Sequence, residues 1–311
     1  MHSLLRTALS FSALALAVGC GASAPQPFSL KFAAMVDDKA VTCTDQLSGF
    51  GTSSGNTIGL NDLRFYVSNV VLTDAAGKPV ETTFDADDFQ YRSTSGWVGL
   101  IDLASNTEGS CATSAVSGAE GTARTHLALT GTTRVSDVKS VSFDVGVPQA
   151  MMKQVIAENS AEGAPSPLAE MYWSWASGYR HFVFNFTVKD AANAAGEGYL
   201  HVGSRACGTM TGKALEDRAQ CDFVNNPKVA LSDFNLETDT VGIDLRRLLA
   251  GVDFTSPVYD ANFMPIGTGP GVECHSSPSQ PDCPIIFNSF GLDIATGGAT
   301  ASSDAVFVRA R

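Results

Sequence analysis

The sequence predicts a mostly β protein, an antiparallel β-sandwich or irregular barrel with long disulfide-tied loops and one or two short helices. Three observations carry this. Apolar and β-branched runs of strand length recur at residues 28–36, 63–72, 97–103, 138–147, 181–188, 199–202, 228–231 and 305–308. Clusters of Gly, Ser, Asn, Asp and Pro separate them, which is turn chemistry. Three strand-poor stretches, 105–125, 207–226 and 256–284, each contain at least one cysteine, as expected of long loops whose ordering entropy a crosslink reduces.

At the N-terminus, Arg6 precedes an apolar run over residues 8–18, followed by Gly19-Cys20-Gly21. The run is shorter than the ~20 residues a bilayer span requires, so residues 1–19 read as an export signal of the lipoprotein type. Ala17-Val18-Gly19-Cys20 resembles a bacterial lipoprotein box in which Cys20 becomes the lipid-modified N-terminus, with alanine where leucine is commoner. Residues 20–27 are then a short tether. The expected location is the cell envelope, periplasm or outer membrane, with the membrane touched only through the lipid anchor; plain secretion, with Cys20 lost or unmodified, is the alternative.

Helix signals are few. Residues 149–159 follow Pro148, and residues 243–249 have Asp244 near the start and Gly251 just past the end, a start and stop pattern. The length permits two domains, but residues 28–311 are read as a single β-domain with insertions.

Besides Cys20 the chain has Cys43, Cys111, Cys207, Cys221, Cys274 and Cys283. An even number in an exported chain reads as disulfides. Spacing favours Cys207 with Cys221 and Cys274 with Cys283, leaving Cys43 with Cys111, one of the fifteen pairings six cysteines allow. No C-x-x-C spacing supports zinc. The formal net charge of -12 and the lack of a Lys/Arg block argue against nucleic acid and suit a basic partner.

The densest chemistry lies in Met171-Tyr172-Trp173-Ser174-Trp175-Ala176-Ser177-Gly178-Tyr179-Arg180-His181. In a strand, Trp173 and Trp175 share one face; the pair suits core, an aromatic binding surface, or an oxidisable site beside a metal. The histidines His126, His181, His201 and His275 are ordinarily hydrogen-bonded imidazoles, and copper or zinc ligands where a site is built. Alternation sets His201 opposite Leu200 and Val202 and on the face of Tyr199, so it faces outward or into a cleft if the apolar pair faces the core. His275, next to Cys274, is expected on a disulfide-bound loop. Met151, Met152 and Met171 are possible soft ligands, though methionine is more often packing. Asp85, Asp87 and Asp88 lack the rest of an EF-hand loop, and the common hydrolase and nucleotide motifs are absent. No catalytic set stands out, and the chain is not expected to be an enzyme.

Larger fragments follow one another in a telling order. They are Asp62-Leu63-Arg64-Phe65-Tyr66-Val67-Ser68-Asn69-Val70; Leu100-Ile101-Asp102 before Cys111; Phe143-Asp144-Val145-Gly146-Val147-Pro148; Ser166-Pro167-Leu168 running into Tyr172-Trp173-Ser174-Trp175; His201-Val202-Gly203-Ser204 with Cys207; and Asp244-Leu245 with Leu248-Leu249-Ala250-Gly251-Val252-Asp253. The ordered set covers nearly the whole mature chain and resembles the MbnP-like family, the four-cysteine protein of the metallo-mystery pair system. The resemblance implies an exported, largely β copper-binding protein whose partner is a MauG-like di-haem cytochrome c peroxidase. In such a pair a tryptophan is oxidised to kynurenine near copper held by histidine. Trp173 and Trp175 are then the oxidation candidates, His201 the first metal ligand, and His181 and Met152 the supplementary ones.

One segment departs from the family pattern. After Gly146-Val147-Pro148 the family commonly carries an Asn-His pair, whereas this chain has Gln149-Ala150-Met151-Met152-Lys153-Gln154. Lysine is an ammonium below its usual pKa of about 10.4 and repels a cation. Either His181 or a methionine replaces the missing ligand, or the site is degraded. On a regular strand His181 would lie about 20 Å from Trp175, so it serves only if a turn at Ser177-Gly178 brings it back. The competing reading is a metal-free surface interaction lipoprotein with an aromatic patch.

Overall fold

The structure, a computed structural model, describes residues 24–104, 125–158, 163–173, 178–208, 219–259, 264–300 and 306–311. Residues 1–23 with Cys20, residues 105–124 with Cys111, and Trp175 lie outside them. In chain order the elements begin β1 (Gln26–Val36), β2 (Lys39–Val41), β3 (Leu47–Phe50), β4 (Asn56–Thr73), β5 (Thr82–Phe84), β6 (Gln90–Ser93), β7 (Gly96–Asp102), β8 (Ala128–Thr133) and β9 (Ser140–Val145). Then come α1 (Gln149–Glu158), β10 (Tyr172–Trp173), β11 (Gly178–Lys189), β12 (Ala195–Gly203), β13 (Lys228–Leu231) and β14 (Thr240–Asp244). The chain closes with α2 (Leu245–Leu248), β15 (Thr255–Tyr259), β16 (Pro265–His275), α3 (Cys283–Ser289) and β17 (Phe307–Ala310). No described helix is long and apolar enough to cross a membrane.

Two sheets form. The smaller runs β17-β14-β1-β8-β5, and the larger runs β13-β9-β4-β11-β12-β16-β15 with shorter strands alongside. Pairing is antiparallel except at β1–β14 and β12–β16. Neither sheet closes on itself, so the sandwich alternative holds and the barrel does not. Phe32 of the smaller sheet meets Phe65 and Phe143 of the larger, ring centroids 5.6 and 5.9 Å apart, and Phe307 meets the same two at 5.8 and 5.6 Å. These rings knit the inter-sheet core.

β4 is buried along most of its length because the larger sheet is covered on both faces. Leu63, Phe65 and Val67 enter the inter-sheet core, while Tyr66 enters a second cluster on the outer face with Met151, Met152, Leu168, Met171, Tyr179 and Val183. A bulge opposite Asn185/Phe186 inserts one extra residue at Asn61/Asp62. It resets the alternation so that Leu60 and Leu63 both face inward, and Asp62 and Arg64 face outward.

The structure departs from the sequence expectations in three places, the first being a third short helix, α3, where one or two were expected. Residues 256–284 are no loop, since β15 and β16 form a hairpin there and β16 joins the larger sheet. Glycine hides this strand in the composition yet serves the packing: a Cβ on Gly271 would stand 2.8 Å from the Glu197 carbonyl oxygen. The helix expected over 243–249 starts later. Ile243 and Asp244 finish β14, whose parallel pairing with β1 buries Val241 and Ile243; Asp244 then caps α2, accepting from the Arg246 and Arg247 backbone N–H groups at 3.0 and 3.1 Å. Cys207–Cys221 and Cys274–Cys283 pair as their spacing favours, and Cys43 is disulfide-bonded.

Phe65 also stacks on Phe182 at 5.6 Å. Phe65→Ala is therefore expected to cost about 3–5 kcal/mol in urea denaturation; a cost under about 1 kcal/mol would show that this cluster does not hold the sheets together.

Candidate functional site

Strand register, more than proximity in sequence, builds the site. Across the larger sheet Asp102 pairs with Arg64, Arg64 with Val183, Val183 with His201, and His201 with His275. The row two residues along holds Asp62, Asn185, Tyr199 and Glu273. Between them Leu63, Phe184, Leu200 and Cys274 enter the inter-sheet core, so both polar rows belong to the outer face. The expectation that His201 lies opposite Leu200 and Val202 is thereby met.

His201 is 7% exposed. Its Nε2 hydrogen-bonds the Asn185 side-chain oxygen at 2.8 Å, and its Nδ1 lies 3.0 Å from Nδ1 of His275. Burial holds the His201 pKa well below the ordinary imidazole value, with His275, Arg180 and Arg64 pushing the same way. His275 is lowered too, chiefly by burial, against the opposing pull of Glu273. Two neutral imidazoles thus face each other.

His275 is fixed by its own loop. Its backbone N–H donates to Gln280 Oε1 at 2.7 Å, Gln280 donates to Glu273, and the Cys274–Cys283 disulfide closes the loop. Ser276 Oγ accepts from the Gly203 N–H at 2.8 Å and donates to the His201 carbonyl at 2.9 Å, locking the ends of β12 and β16 together. The sequence predicts a loop at His275 because Gly267, Gly269 and Gly271 obscure the strand. The alternation of Val272 and Cys274 is the signal that could have found it.

Trp173 completes the cluster. Its pairing with Gly178, beside that of Tyr172 with Tyr179, returns β11 along β10. The indole stands edge-on to His201 with ring centroids 6.1 Å apart. It packs so closely on β12 that a Cβ on Gly203 would lie 2.9 Å from Trp173 Cζ3.

The other two expected ligands are used elsewhere. The hairpin removes the distance objection to His181, but this ring is fully buried with both nitrogens taken: Nδ1 accepts from the Val147 N–H at 3.3 Å and Nε2 donates to the Val224 carbonyl at 3.1 Å. It staples two backbone segments and keeps no lone pair for a metal. Met152 is buried in the outer-face cluster, its sulfur accepting from Ser204 Oγ at 3.6 Å. Among the described residues no group of three or more His, Cys, Asp or Glu side chains is placed to hold a metal; of the expected ligands, His201 alone has a second imidazole, that of His275, beside it.

These features define a class, a two-sheet β protein carrying a buried imidazole pair against an indole on the outer face of its larger sheet. The MbnP family model matches residues 25–265, and the chain belongs to the MbnP family. Among solved structures, MbnP from Methylosinus trichosporium superposes with a TM-score of 0.67 at 23% identity, covering 93% of this chain and 99% of that one, which establishes a common fold. No curated protein matches the sequence.

Two measurements check this geometry. Burial lowers the folded-state pKa of His181 to about 4 from 6.5, so between these values the unfolded chain binds a proton that the native state refuses. Stability is whole above pH 6.5 and falls as pH drops toward 4, by on the order of 3 kcal/mol from this group. Denaturation midpoints of His181→Gln should start lower at pH 7 and decline less on acidification; parallel declines would contradict the neutral buried ring. Gly203→Ala should cost about 1–3 kcal/mol by overpacking and shift the tryptophan emission, whereas an unchanged spectrum and stability would place Trp173 elsewhere.

Proposed function

We propose that this protein is an exported copper-binding member of the MbnP family, and that it is the substrate, not the catalyst, of a tryptophan oxidation by a MauG-like di-haem cytochrome c peroxidase. The observation that carries the reading is the convergence of His201 and His275 beside Trp173. Imidazole nitrogens are donors that copper accepts, and His201 and His275 would supply two of them. The two Nδ1 atoms are 3.0 Å apart. The residues present therefore fit two of copper's ligands.

Indole is among the most readily oxidised side chains, and Trp173 is the described tryptophan beside the histidine pair. Conversion to kynurenine opens its five-membered ring, adding one oxygen and removing one carbon overall, and leaves an aryl amine and a ketone oxygen near His201. Either would supply the donor that the missing family histidine and the engaged His181 do not. Hydrogen peroxide supplies the oxidising equivalents through the peroxidase haems, the lost carbon leaves as formate on hydrolysis, and the net charge of -12 suits a basic docking face. Residues 1–19 would direct export, with Cys20 as the lipid anchor in the cell envelope. The metal-free aromatic patch fits less well, because Trp173 is only 7% exposed.

Peptide mass spectrometry of protein from its native host, with and without the peroxidase, combined with Cu(II) titration, tests both halves. The Trp173 peptide is expected to gain one oxygen and lose one carbon only when the peroxidase is present. His201→Ala and His275→Ala are each expected to weaken copper binding by more than about tenfold, or ~1.4 kcal/mol. An unmodified Trp173 with the peroxidase present would sink the oxidation, and equal copper binding by all three proteins would sink the site.

A further inference from the structure

We infer that Asn185 is the positioning residue of the histidine pair: its side-chain oxygen holds the His201 proton on Nε2 and so fixes the Nδ1 lone pair as the group presented to His275 or to a metal. The tautomer concerns the metal-free protein; its consequence for copper rests on the function proposed above.

Donors and acceptors decide the tautomer. Asn185 is 2% exposed, on β11 between its cross-strand neighbours Asp62 and Tyr199, with its oxygen 2.8 Å from His201 Nε2. An amide oxygen only accepts, so Nε2 carries the hydrogen. A neutral imidazole has one N–H, which leaves Nδ1 of His201 bare. Across the 3.0 Å to His275 a hydrogen bond needs one proton, and His275 Nδ1 must supply it. The network thus runs in one direction, from His275 Nδ1–H to His201 Nδ1 and from His201 Nε2–H to Asn185.

This order prepares the pair for a cation. A metal taking the place of the shared proton requires no change of tautomer at His201, and at His275 a shift of the proton from Nδ1 to the other ring nitrogen. Ligating histidines commonly donate their second N–H to an oxygen in this way, which fixes ring and tautomer. Were the amide reversed, with its NH2 toward Nε2, the network would invert and His201 would meet the metal as an N–H.

Nitrogen-15 NMR of the imidazoles in the metal-free protein at neutral pH, followed by Cu(II) titration, tests the inference in wild type, Asn185→Asp and Asn185→Leu. The wild type should show His201 as the Nε2–H tautomer and His275 as Nδ1–H. Asn185→Asp, which retains an acceptor, should keep both the tautomer and the affinity. Asn185→Leu should lose the single His201 tautomer and bind Cu(II) about 10–100-fold more weakly. An Nδ1–H His201 in the wild type, or an unchanged tautomer and affinity in Asn185→Leu, overturns the inference. A wild type that shows the expected tautomers but binds no Cu(II) supports the role of Asn185 and refutes the copper reading instead.

Discussion

The parallel ladder between β12 and β16 is the constraint on which the site depends. It sets His201 beside His275 although 74 residues separate them. Side chains alternate along a strand, so a slip of one residue would turn His275 into the inter-sheet core and Cys274 out of it. Several contacts oppose such a slip. Leu200, Val202 and Val272 are buried in the core, at about 1.5–3 kcal/mol each. The Cys274–Cys283 disulfide ties the strand end to α3, and Ser276 bridges both strands through two hydrogen bonds. Gly271 lets the backbones approach where any Cβ would collide.

The same rows that carry the histidines also bury charge. Arg64 and Asp62, 1% and 0% exposed, form two parallel hydrogen bonds of 2.7 Å, and Glu170 stands 3.8 Å from the same guanidinium. Burial works against the charge on Arg64, and Asp62, Asp102 and Glu170 outweigh it. Breaking such a pair by removing one partner is far costlier than the net worth of the pair. The guanidiniums of Arg64 and Arg180 in turn disfavour protonation of His201. The outer face of the sheet is thus a fixed field in which the imidazoles stay neutral.

What the sequence made readable follows local physics. Branched alternation located β1 and β13 to within two residues, and alternation alone placed His201 on the face opposite Leu200. Loop-closing cysteines at short spacing found their partners. Three features were hidden because their causes are not local. β16 has the glycine and proline content of a turn, and only its neighbours make it a strand. His275 gains its role from a cross-sheet register. His181 drew attention by following the tryptophans, yet the Val147 and Val224 backbone groups that occupy its ring come from distant parts of the chain. The departure from the family pattern at Lys153 was visible in the sequence; the register that brings His275 to His201 was not.

The central claim is that His201 and His275 together hold copper. Pulsed electron paramagnetic resonance of the Cu(II)-loaded protein counts coordinated imidazoles directly. The account requires two in the wild type and one in His275→Ala. A single imidazole in the wild type, or a spectrum unaltered by His275→Ala, would contradict it.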